Sequence, residues 1–109
     1  MQPRAGFFFL HEDVRRVYIL LLQLEVHIPS AQSLKDKRSV LKSLLHKLRT
    51  TYNVSVSEVG NQDLWQSVEL AVVMVGSSSD VLDGMERGIL DTIEGGFDVV
   101  LTAINRQWL

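Results

Sequence analysis

Five apolar positions, Leu20, Leu22, Leu24, Val26 and Ile28, alternate with Gln23, Glu25 and His27, and predict a strand over Val17–Ile28 with one face in a core. Its other face is apolar only near the start, at Ile19 and Leu21, and Pro29 ends it. The period then changes. Leu41, Leu44, Leu45 and Leu48 recur at helical spacing, with Leu34 one turn upstream, and predict a helix from Ser33 to Tyr52. Ser33 and Asp36 form an S-x-x-D start signal, and Asn53 is the expected left-handed stop. Val54–Val59 reads as a short strand whose serines and Glu58 suit an edge, and Gly60–Gln66 as a loop carrying Trp65. Ser67–Val75 is apolar on both faces, as a central strand is. Leu82, Met85, Ile89 and Ile93 mark a second helix, with Asp80 as its expected N-cap and Gly95-Gly96 as its end. Gly84 and Gly88 weaken that helix or permit close backbone approach. A last strand is expected over Asp98–Ile104, with Trp108 in a tail.

The order β-α-β-β-α-β with right-handed crossovers predicts an α+β, ferredoxin-like sandwich: a four-stranded antiparallel sheet with two helices on one face. The first and third strands are then central. Their pairing brings Ile19 and Leu21 near Ala71, Val73 and Val75 on the face without helices, an apolar patch that needs a cover. A second subunit on that open face is the leading candidate, and the apolar arm Phe7–Leu10 is the other. Residues 1–16 lack a period and are read as an N-terminal arm, leaving 17–109 as a single domain.

At 109 residues, 46% hydrophobic and 22% charged, the chain fits one soluble globular domain. Without cysteine it has no disulfide, thiolate metal site or thiol nucleophile, and no apolar run reaches the length of a membrane span. A cytoplasmic protein is expected. Its charge is segregated. Six basic residues and one acid lie between Ser33 and Arg49, against five basic and twelve acidic elsewhere, for a net charge of −2. Helical spacing gathers Lys35, Arg38, Lys42, His46 and Arg49 beside the leucine stripe and turns Lys37 and Lys47 elsewhere. Long basic stems covering the edge of an apolar stripe explain such a row. So does contact with several phosphates of an RNA backbone.

The blocks SLKDKRSVLKSLL, YNVSVSEV and QDLWQ closely resemble the YlxP-like family of small bacterial proteins of unknown function (domain of unknown function 503), from about Val17 to Ile104. The resemblance implies a ferredoxin-like fold and no established catalytic residues. The family's genes often neighbour those for translation initiation and ribosome maturation, which implies RNA or a ribosomal particle as partner.

Enzymatic readings find little footing. Acylphosphatases share this fold, but the link Pro29-Ser30-Ala31-Gln32 lacks their glycine-rich phosphate cradle. P-loop and dinucleotide fingerprints are absent, and His11, His27 and His46 show no metal-ligand spacing. Glu58 and Asp63 flank a loop and are the one candidate acid pair. No catalytic residue, metal or cofactor is assigned. Sheet-face RNA reading needs exposed aromatics, and the central strands offer Gln23, Glu25, His27 and Glu69 instead. Trp65 is either an interface anchor or a cap over the core beneath its own loop. The competing functional reading is a homo-oligomeric interaction or small-ligand regulatory module with no nucleic-acid role.

Overall fold

The computed structural model describes residues 16–109. All but the last residue of the expected arm, 1–16, lies outside them. Six elements follow in order: β1 (Tyr18–His27), α1 (Leu34–Thr51), β2 (Ser55–Gly60), β3 (Ser67–Gly76), α2 (Ser79–Gly96) and β4 (Val100–Trp108). The sheet order is β2-β3-β1-β4, every pair is antiparallel, and β1 and β3 are central. This is the expected ferredoxin-like sandwich.

Alternation along β1 and β3 makes the core. Leu20, Leu22, Leu24 and Val26 meet Val68, Leu70, Val72 and Met74 on the helix face, and Leu41, Leu44 and Leu48 of α1 with Leu82, Ile89 and Ile93 of α2 close over them. Each such side chain contributes about 1.5–3 kcal/mol on full burial.

The helix ends differ from expectation. Ser33 does cap α1, its Oγ accepting from the Asp36 amide at 3.1 Å, while Asp36 Oδ2 accepts from the Gln32 amide at 3.0 Å. At the other end Tyr52, in extended conformation, donates its N–H to Leu48 O, so Asn53 is not a left-handed stop. Ser78, not Asp80, occupies the N-cap position of α2, and the helix includes Gly95 and Gly96 before ending at Phe97. Helical glycine needs no left-handed turn to stop when the next residue is already extended. β4 begins later and runs farther than its pattern predicted. Trp108 lies in the strand, because β1 offers partners as far as Leu20.

Candidate nucleic-acid interface on helix α1

Lys35, Arg38, Lys42, His46 and Arg49 are all exposed on α1. Arg38, Lys42, His46 and Arg49 line one open groove of about 710 Å³ together with Leu41, Ser43 and Leu45; Lys35 extends the row outside it. Among the described residues none of the five is in an ion pair; the ion pairs belong to Lys37 and Arg106. Arg49 has one fixed contact, its Nη2 donating to Val56 O on the outer edge of β2 at 3.0 Å. A guanidinium held through one donor keeps its charge and other donors available. The arrangement suits a polyanion's backbone: cations at helical spacing, over a floor of leucine stems.

Lys37 lies off the row, as helical spacing places it, and it is buried. It is 2% exposed, and its ammonium donates to Asn61 O and Leu64 O, both at 2.7 Å, and stands 3.0 Å from Glu58 Oε2. Two of the ammonium's three N–H groups are thus hydrogen-bonded to carbonyls, and the carboxylate stands at ion-pair distance. Glu58 Oε2 is buried without an aligned hydrogen bond, so charge holds it. The proposed Glu58–Asp63 acid pair gives way to this lysine-carboxylate pair. The wheel could not foresee it because loop 61–66, which covers Lys37, comes from a distant part of the chain.

That loop is built around Asn61, the one non-glycine described residue in the left-handed region, at φ 62°. Its Nδ2 donates to Ser67 Oγ at 3.0 Å and its carbonyl accepts from Leu64 N. Gln66 ties the loop to the β1–α1 link, donating through Nε2 to Ala31 O at 2.8 Å and Pro29 O at 3.2 Å. Trp65 does not cap the core. It is 51% exposed, beside an exposed Leu64, in a shallow recess with His27, Asp63, Gln66 and Ser67.

The open sheet face carries the other candidates. Register places Ile19 against Val75 and Leu21 against Val73, while Ala71 pairs with Gln23. Val75 is 52% exposed; Ile19, Leu21, Ala71 and Val73 are half-buried. Farther along the same face Glu25 lies directly opposite Glu69. Like charges so placed repel each other and any polyanion.

Sequence reading also missed a cluster at the end of β4. Arg106 donates to Glu86 at 2.9 and 3.2 Å and to Asp83 at 2.7 Å, and lies 5.3 Å from the Trp108 ring centroid. Trp108 in turn meets Tyr18 edge-to-face at 6.1 Å. Hydrogen bonding to Glu86, with the nearby carboxylate charges, raises the Arg106 pKa above its already high ordinary value. A lone arginine after a strand carries no local signal for this; it depends on α2 crossing over β4.

Among the described residues no group of three or more histidine, aspartate or glutamate side chains could hold a metal ion. No helix among them is long and apolar enough to cross a membrane.

Comparison with known proteins bears on these sites. The model of the family described as "Protein of unknown function (DUF503)" matches residues 19–106. The chain is 34% identical over 86 residues to the uncharacterized protein YlxP of Bacillus subtilis (strain 168), covering 79% of this chain and 94% of that one. A solved structure from Thermus thermophilus, proposed to be a PII-like signaling protein, aligns over 86% of this chain and 91% of its own at 12% identity, with a TM-score of 0.43. A likeness that weak bears on neither ligand nor assembly. The SLKDK, YNVSVSEV and QDLWQ blocks meet at the Lys37–Glu58–loop clamp, and the chain that carries them belongs to the DUF503 family.

Proposed function

We propose that this chain is a non-catalytic cytoplasmic protein that contacts the phosphate backbone of RNA, in a ribosomal particle, through the row Lys35, Arg38, Lys42, His46 and Arg49. The observation that carries the reading is that, among the described residues, no member of that row is in an ion pair. In an otherwise acidic chain, described carboxylates pair with Lys37 and Arg106 and leave these five unpaired. The opposed Glu25 and Glu69 make the open sheet a poor surface for a polyanion, which directs such a ligand to the helix layer. Recognition there is by charge and shape, since the groove offers stems and heads and no aromatic platform.

Co-sedimentation with ribosomal subunits at low and moderate salt tests it. Retention is expected at low salt and falls as salt rises, because phosphate contacts release counterions. The combined variant Lys35→Ala, Arg38→Ala and Lys42→Ala removes three exposed charges and spares Arg49, whose contact to Val56 serves the fold. It should abolish retention. Unchanged retention by this variant ends the proposal.

A further inference from the structure

We infer that the free edge of β4 is a docking edge for a second copy of this chain, joining two four-stranded sheets antiparallel into one continuous sheet. The two edges of the sheet are protected very differently. An edge strand exposes a row of unpaired amides and carbonyls, and proteins that must stay apart blunt it with shortness, bulges, inward-pointing charge or a covering group. β2 has all four. It is six residues long, its register shifts between Glu58 and Gly60, Glu58 reaches inward to Lys37, and Arg49 occupies the outward carbonyl of Val56. β4 spans nine residues, and its one irregularity, at Thr102, leaves Ala103–Trp108 in unbroken register with β1. Among the described residues nothing guards that stretch. It contains no proline, lysine or acid, and its single charge, Arg106, is drawn back onto Asp83 and Glu86 of its own helix α2.

The hydrogen-bond phase shows which groups are free. Leu109 N donates to Ile19 O at 2.9 Å. Gln107, Asn105 and Ala103 therefore face β1 with their backbone polar groups, while Ile104, Arg106 and Trp108 turn theirs outward. These same three residues place their side chains on the helix face, where Ile104 is 50% and Trp108 39% exposed beyond the cover of α2. A two-fold axis through Asn105 makes the edge self-complementary. Ile104 then lies opposite the partner's Arg106, each pair exchanging both backbone hydrogen bonds, and Ala103 lies opposite the partner's Gln107. An axis through Arg106 would oppose two guanidinium groups. Centring on Asn105 opposes no like charges and covers the exposed Ile104, which favours a second copy over a charged foreign strand.

The test is the mass of the full chain by size-exclusion chromatography with light scattering over a dilution series. Twice the 12.3 kDa chain mass is expected, falling toward the single mass on dilution. Ile104→Pro removes an amide that points outward, so β4 keeps its bonds to β1 while the edge loses a donor. Ile104→Lys, which leaves the backbone intact, places a charge at the same point. Both should give monomers with unchanged circular dichroism, and Val75→Lys on the open face should leave the dimer intact. Amide exchange at Ile104 and Arg106 should slow with concentration. A chain that scatters as a monomer throughout, or a dimer that survives both Ile104 variants, overturns the inference.

Discussion

Lys37 shows how one residue can decide more than its element does. In the free helix it is one of several lysines; in the folded chain it joins α1, Glu58 of β2 and the carbonyls of loop 61–66 at one point. Removing it leaves a partly buried carboxylate and two carbonyls without their donor. Lys37→Met should therefore cost about 3 kcal/mol, read as a lowered urea midpoint. Glu58→Met in the same chain should restore part of that loss, since a buried ion pair replaced by apolar groups is often neutral. A double variant no more stable than Lys37→Met would assign the whole effect to the loop carbonyls. Tyr52 is a quieter case. Its hydroxyl shares a 2.9 Å hydrogen bond with Thr92 Oγ1, tying the end of α1 to α2.

At the scale of the element, the two glycines within α2 separate into different roles. A Cβ on Gly88 would stand 2.8 Å from Tyr52 Oη and 3.1 Å from its ring, so the glycine admits an aromatic side chain across the helix. Gly88→Ala should destabilise by about 1–3 kcal/mol through overpacking. Gly84 meets nothing nearer than the far end of Arg87, at 3.9 Å. Gly84→Ala should stabilise by roughly 0.5–1 kcal/mol, from helix propensity alone. Thermal melts of the two variants should move in opposite directions; a shared direction would contradict the packing described for Gly88. α1 offers a third comparison. Ser33→Ala removes the cap on the Asp36 amide and should cost about 1 kcal/mol by the same measurement.

Across the whole molecule, charge separates by layer. The cationic row lies on one helix, acids oppose one another on the open sheet, and the remaining described ion pairs serve to hold loop 61–66 and β4 in place. If RNA binds along the row, the logarithm of its affinity falls linearly with that of salt, by roughly 0.7–0.9 per phosphate contact. The variant lacking Lys35, Arg38 and Lys42 should show a shallower slope as well as weaker binding. A slope equal to that of the parent chain would place the contacts elsewhere. Two joined sheets would keep the row accessible, because α1 packs over β2 and the inferred junction is at β4, at the opposite edge.

The strands, the helices and their order were legible from periodicity because each depends on neighbours within a few residues, and packing a two-period or 3.6-period face needs no knowledge of its partner. The central place of β3 followed from its apolar content, that of β1 from the order of the elements, and the row on α1 from helical spacing. Contacts between distant parts of the chain were not legible. Whether a lysine on that helix meets water or two carbonyl oxygens depends on a loop more than twenty residues away. The exposure of Trp65, the union of Arg106 with α2 and the reach of β4 past Ile104 depend likewise on what another element brings alongside. Local pattern selects the elements; only their meeting in space determines which polar groups are satisfied and which edge is left open.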